Sequence, residues 1–273
     1  MNTQTLQVDG QTIAVTSSSG TGPATLLIHG NSASGQSFLH QLNSPLGERN
    51  RLVAIDLPGH GRSARAADPQ STNTLPGYAN MVASVVNQLD LGKTVLVGWS
   101  LGGHVALEAE HLLPNAAGLL IFGTPPIAFP PAMESAFLPH PAMGAAFTEE
   151  LNEAQIEAFV RAFFNPGVTD VPEAFLDDVR RTDGRARSSL AASIRPNGYR
   201  DEVEIVAQLS KPLAILQGEG EQLVNLAYLQ SLTAPTLWRS AVQVIPGAGH
   251  APHWEQPERF NALLEAFIQD CNS

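Results

Sequence analysis

From its amino end the chain opens on two short stretches that alternate polar and apolar residues, Leu6 to Val8 and Thr12 to Thr16, joined at Asp9-Gly10. Period-two alternation marks half-buried strands and Asp-Gly favours a tight turn, so the pair predicts an edge hairpin. Beyond Gly20-Thr21-Gly22-Pro23 the pattern changes to compact apolar runs at Thr25 to Ile28, Leu52 to Ile55, Val95 to Val97 and Leu119 to Phe122. Strands without alternation are those covered on both faces, as in a doubly wound parallel sheet. Helices are predicted near Phe38 to Leu42, Tyr78 to Leu89 and Leu101 to Leu113. Leu213 to Leu216 and Val242 to Ile245 resume the strand pattern, and Pro257 to Ile268 reads as a closing amphipathic helix.

The alternation breaks once, from about Thr124 to Pro196, where helical patterns at Glu149 to Phe164 and Pro172 to Arg181 lie among Pro and Gly residues. The expectation is an α/β fold with a mostly parallel central sheet. Residues 1–123 and 197–273 would form the core and 124–196 an inserted helical cap. No internal repeat competes with this reading.

With 273 residues, 43% hydrophobic and 15% charged, the chain has enough apolar surface for a sizeable core. Acidic residues outnumber basic ones 26 to 15, a formal charge of -11, and no basic stripe is present to engage phosphates. That balance argues against nucleic acid and anionic membrane as partners. The one cysteine, Cys271, leaves no internal disulfide and no cysteine-based metal site. Met1 to Val8 lacks the basic and apolar regions of a secretory signal, and no run nears the roughly 20 apolar residues of a membrane span, so the expected location is cytoplasmic.

The sharpest chemical signal is Gly98-Trp99-Ser100-Leu101-Gly102, a G-x-S-x-G match directly after one predicted strand and before a predicted helix. As a bare pentapeptide it could be a glycine-rich turn with an incidental serine. Between strand and helix it is a sharp elbow that exposes the Ser100 hydroxyl, beside a helix amino terminus favouring negative charge. In such folds the acid and histidine follow the serine in that order. Gly247-Ala248-Gly249-His250 follows the last strand, making His250 the candidate base; His253 lies deeper in the turn and reads as loop packing. Two carboxylates, Glu219 and Glu221, compete at the end of the preceding strand, and Gly123-Thr124-Pro125-Pro126 offers none. Oxyanion donors are expected from the backbone N–H groups of Leu101 and Asn31, the latter in His29-Gly30-Asn31 after an early strand. His29 reads as a turn organiser, and Asp56-Leu57-Pro58-Gly59-His60-Gly61-Arg62-Ser63 as turn scaffolding; H-x-H-x-D-H is absent, so no metal site and no cofactor is expected.

HGN at 29–31, DLPGHGRS at 56–63, GWSLGG at 98–103 and GAGHAPHWEQPERF at 247–260 together resemble the α/β-hydrolase superfamily, over nearly the whole chain outside the cap. Glu221, third after Gly218, resembles the acid of that family's G-x-x-D turn and is preferred to Glu219 on that ground. HGNSASG from His29, GWSLGGH from Gly98, GTPP from Gly123 and RTDGRAR from Arg181 more narrowly resemble metal-independent N-acyl-homoserine lactonases, which cut quorum-sensing signals. The resemblance implies a Ser100, His250, Glu221 triad, Gly30 and Asn31 at the lactone carbonyl, and an acyl chain under the cap. It departs at Phe159, where the group carries a ligand-contacting tyrosine.

The expected substrate is a small ester or lactone, with general carboxylesterase and non-catalytic ligand receptor as the rival readings. Dehalogenase and epoxide hydrolase chemistry need a carboxylate where Ser100 stands. Among the cap phenylalanines Phe129, Phe137, Phe147, Phe159, Phe163, Phe164 and Phe175, at least half are expected to pack the cap rather than line a pocket. Trp99 is placed beside the nucleophile as elbow packing with a possible substrate contact.

Overall fold

The computed structural model describes residues 1–273 and builds one sheet of eight strands in the order β1-β2-β4-β3-β5-β6-β7-β8. β1 (Asn2–Val8) and β2 (Gln11–Ser17) form the predicted hairpin, in register from Asn2 opposite Ser17 to Val8 opposite Gln11. Asp9 and Gly10 both take positive φ at its turn. β2 runs antiparallel to β4 (Arg51–Ile55), and every pairing beyond is parallel.

β3 (Ala24–Ile28), β5 (Thr94–Trp99), β6 (Gly118–Phe122) and β7 (Leu213–Gly218) are buried at every position. This is the burial that unbroken apolar runs predict when helices cover both faces. Helices Leu75–Gln88, Leu101–Ala109 and Pro257–Asn272 supply that cover; Phe260, Leu264, Phe267 and Ile268 of the last join the core. β8 (Gln243–Ile245) closes the sheet against β7.

The apolar pattern overruns some helices. The helix read from Leu101 to Leu113 is α-helical only to Ala109; a 3-10 turn covers Glu110–Leu112, because Pro114 disfavours further α conformation before it. The helix read from Glu149 begins at Glu153, where Asn152 and Gln155 form a capping box, and ends at Arg161.

Between β6 and β7 the chain forms Glu153–Arg161, Glu173–Arg181, Gly184–Ser193 and Glu202–Gln208, with a 3-10 segment at Pro141–Phe147. The helices Gly184–Ser193 and Glu202–Gln208 have no strong apolar stripe. Their sequence signal is the cap: Asp183 and Asp201 each accept a backbone N–H of the first turn.

Candidate active site

The carboxyl ends of β3, β5, β7 and β8 lie along one edge of the sheet, where doubly wound folds place ligands. Ser100 follows β5 at φ 52° and ψ −118°, left-handed for a residue with a Cβ. A Cβ on Gly98 would stand 2.3 Å from the Gly102 carbonyl oxygen, and one on Gly102 only 2.0 Å from that of Ile28, so the elbow closes only with glycine at both places. The Ser100 N–H donates to the Phe122 carbonyl (2.9 Å), and the Thr124 hydroxyl donates to the Ser100 carbonyl (2.8 Å).

β7 and β8 deliver the other two groups. The His250 Nδ1–H donates to Glu221 Oε2 at 2.7 Å, with both side chains 3% exposed. Glu221 Oε1 accepts the Leu223 N–H at 2.8 Å, so its oxygens are acceptors on both sides and the imidazole is left with Nε2 free to accept a proton. Glu219, the rival acid, is exposed and accepts the Gly247 N–H at 3.2 Å, away from the imidazole.

His253 is sealed among Phe38, Trp99, Phe122 and Phe260, with neither ring nitrogen hydrogen-bonded, and burial holds its pKa well below the ordinary value. It is a packing residue. The His250 loop is fixed around its ring: the Trp99 Nε1–H donates to the His250 carbonyl (2.8 Å), Glu255 accepts the Gly249 N–H (2.6 Å), and the Ala251 N–H donates to the Phe163 carbonyl (2.8 Å). Gly123 has φ 58°, and a Cβ there would lie 2.7 Å from the imidazole.

The Asn31 N–H has no hydrogen-bond acceptor within the protein, and Leu101 is the first residue of its helix, where backbone N–H groups lack intrahelical partners. Both are therefore open to an oxyanion. The Asn31 side chain is committed, donating to the Ala146 carbonyl (2.7 Å) and accepting from Ser32 (2.9 Å). The Arg187 guanidinium, buried and without a carboxylate partner, donates to Ser32 (3.3 Å) and to the carbonyls of Thr148 (2.7 Å) and Glu149 (2.8 Å). Sequence reading met Arg187 only as the last residue of RTDGRAR and gave it no role, because a buried arginine whose acceptors are mostly carbonyls shows no partner in the sequence.

His29 donates from Nδ1 to the Gly30 carbonyl (2.7 Å) and accepts the Leu57 N–H at Nε2 (2.9 Å), which is turn organisation. Asp56 accepts the Gly35 (2.7 Å) and Arg62 (2.8 Å) amides, and burial drives the His60 pKa down to about 3.

Ser100, His250, Gly30, Asn31, Trp99 and Phe159 line one narrow cavity of about 40 Å³. A second, of about 80 Å³, shares Ser100, Asn31, Phe137, Met143 and Ala146 with it and is otherwise closed chiefly by apolar groups. Phe137, Phe147, Phe159 and Phe163 line these chambers, whereas Phe129, Phe164 and Phe175 do not. Three of the seven thus only pack, fewer than the half expected, because the four that line the chambers do so from places where they also pack against the core. Two larger surface clefts, of about 440 and 430 Å³, contain neither Ser100 nor His250.

An elbow serine, a carboxylate-held imidazole and two free amides on a doubly wound sheet define a hydrolase of the α/β class. The chain belongs to the alpha/beta hydrolase family, whose family model matches residues 25–263, and is an enzyme of the esterase kind. Crystal structures of the N-acyl homoserine lactonase AidH are similar to it: a complex with N-butanoyl homoserine superposes with a TM-score of 0.95 at 38% identity, covering 99% of this chain and 97% of that one. A variant complexed with N-hexanoyl homoserine lactone gives 0.95 at 37%, covering 99% and 98%. A pimeloyl-[acyl-carrier protein] methyl ester esterase of Xylella fastidiosa (strain M12) is 28% identical over 91% of this chain and 96% of its own length.

Proposed function

We propose that the chain opens the lactone ring of N-acyl-homoserine lactones, and so quenches quorum signals, through Ser100, His250 and Glu221. The observation that carries the reading is the sealed 2.7 Å contact from His250 to Glu221 beside a cavity that both Ser100 and His250 line. It gains substrate identity from the 37–38% identity to AidH.

In this mechanism neutral His250, its Nδ1–H held by Glu221, takes the Ser100 proton at Nε2 as the hydroxyl attacks the lactone carbonyl. The Asn31 and Leu101 amides bind the oxyanion, each worth on the order of 10²–10³ in rate. Collapse of the tetrahedral intermediate breaks the ring C–O bond; His250 protonates the tethered alkoxide, and water then releases the ring-opened acid. The imidazole must serve the leaving oxygen, so the ring would occupy the His250 chamber and the N-acyl chain the apolar one. Residues 124–196 would act as the cap that closes both.

A general carboxylesterase is the second reading, favoured by the methyl ester esterase relative and by a putative aryl esterase from Burkholderia cenocepacia (TM-score 0.79, 25% identity). Ring opening of N-hexanoyl homoserine lactone measured beside aryl esters, with and without a chelator, separates them. Lactone opening that survives the chelator is expected; ester cleavage with no ring opening would leave only the esterase.

A further inference from the structure

The apolar chamber contains three polar side chains: Asn31, Ser100 and His104. The Asn31 amide is spent on Ala146 and Ser32, and Ser100 is the proposed nucleophile. His104 stands one helical turn after Ser100. Its Nδ1 is bound to the fully buried Glu202 carboxylate (2.8 Å to Oε2, 3.0 Å to Oε1), while its Nε2 has no protein partner. Glu202 is itself aimed, since Oε2 also accepts the Ile127 N–H at 2.8 Å and Asp201 beside it accepts the Phe129 N–H at 2.8 Å. The chain thus holds a second carboxylate-braced imidazole, in a chamber whose other lining is almost wholly apolar. The His104 side chain is 11% exposed, so a ligand entering the chamber displaces solvent from this nitrogen and binds best if it offers a hydrogen-bonding atom in its place.

We infer that His104 is a specificity-determining residue, whose Nε2 hydrogen-bonds an oxygen on the acyl chain and favours chains oxygenated at their third carbon over plain ones. The inference rests on the lactonase reading. Four residues of helix rise about 6 Å. From the attacked lactone carbonyl to the third acyl carbon there are five bonds, roughly 6 Å at the rise of an extended chain. The two spans agree, whereas the amide carbonyl, three bonds out, falls short. A neutral ring, donating at Nδ1, would accept at Nε2 from a hydroxyl; a protonated ring would donate to a ketone.

The test is the ratio of kcat/KM for N-(3-oxohexanoyl) and N-(3-hydroxyhexanoyl) homoserine lactone to that for the N-hexanoyl compound, in the wild type and in His104→Leu. A wild-type ratio of about tenfold for at least one oxygenated chain is expected, the size of one hydrogen bond, falling to near one in the variant. A merely structural tie between His104 and Glu202 would depress all three substrates alike and cancel in the ratio. A wild-type ratio near one, or a ratio that persists in His104→Leu, overturns the inference while leaving lactone opening intact; aryl ester cleavage with no lactone opening rejects the parent reading instead. If the variant fails to fold, ¹⁵N resonances of the wild-type His104 ring are read with the ring-opened products. A change in Nε2 with an oxygenated product alone supports the contact, and equal changes with the plain product overturn it.

Discussion

Ser100 is held at φ 52° and ψ −118°, a conformation that costs a residue with a Cβ about 1–3 kcal/mol. Glycine escapes that strain but loses about 0.5–1 kcal/mol to chain freedom. Ser100→Gly is therefore expected to abolish turnover while raising the unfolding temperature by about 2–6 °C, read by calorimetry; a fall in Tm would contradict stored strain at the elbow. His253 tests the opposite case. Two unpaired buried nitrogens in an aromatic nest imply that His253→Leu keeps turnover within a few-fold and does not lower Tm, whereas His250→Leu is inactive. Loss of activity in His253→Leu would reopen the choice of base. Asp178 supplies a pH dependence: burial, opposed by the Ser34 hydrogen bond and aided by nearby Asp56, lifts its carboxyl to about 7. The folded chain keeps this proton between about pH 4 and 7, where the unfolded chain has released it, so this group's stabilisation is lost as pH rises through that window. Asp178→Asn, which can still accept from Ser34, is expected to raise Tm more at pH 8 than at pH 5; equal shifts would show that Asp178 does not titrate as described.

At the scale of elements, the site depends on how β8 and its loop are tied to the helices between β6 and β7. Glu255 joins them, accepting the Gly249 N–H (2.6 Å) and the Asn165 N–H (2.7 Å), and burial raises its pKa. Glu255→Ala leaves both amides unpaired and frees the backbone beside His250. A kcat reduced by tenfold or more with KM little changed is expected from steady-state kinetics, and unchanged kcat would show that the loop is held by other contacts. The core strands were legible in sequence because burial on both faces demands unbroken apolar runs, as at Leu52 to Ile55 and Leu119 to Phe122. Helices such as Gly184–Ser193 were not, because their contacts mix small, polar and charged side chains rather than a stripe. The serine elbow was legible for a steric reason, two glycines without room for a Cβ. Glu221 and Glu219 could not be separated by residue type, since their difference lies in which carboxylate the β7 turn aims at His250. His104 was read only as the last residue of GWSLGGH and given no role, because a histidine on a helix shows its partner, Glu202, only once the chain is folded.

In the whole molecule, no helix is long and apolar enough to cross a membrane. The sheet edge carries Ser100, His250 and Glu221, while residues between β6 and β7 supply most of the apolar lining of two narrow chambers. On the lactonase reading, the lactone and its acyl chain would occupy these chambers beneath Pro141–Phe147 and its neighbours. Amide hydrogen exchange across residues 137–163 is expected to slow when ring-opened product binds; unaltered exchange would place the ligand elsewhere. The central claim, an activated serine at the carboxyl edge of β5, is tested most directly by reaction with a serine-directed alkyl phosphonate followed by peptide mass spectrometry. One adduct per chain, on the peptide carrying Ser100 and abolished in Ser100→Ala, is the predicted result. A chain that hydrolyses its substrate yet takes no label at Ser100, or takes it on another residue, would contradict the account.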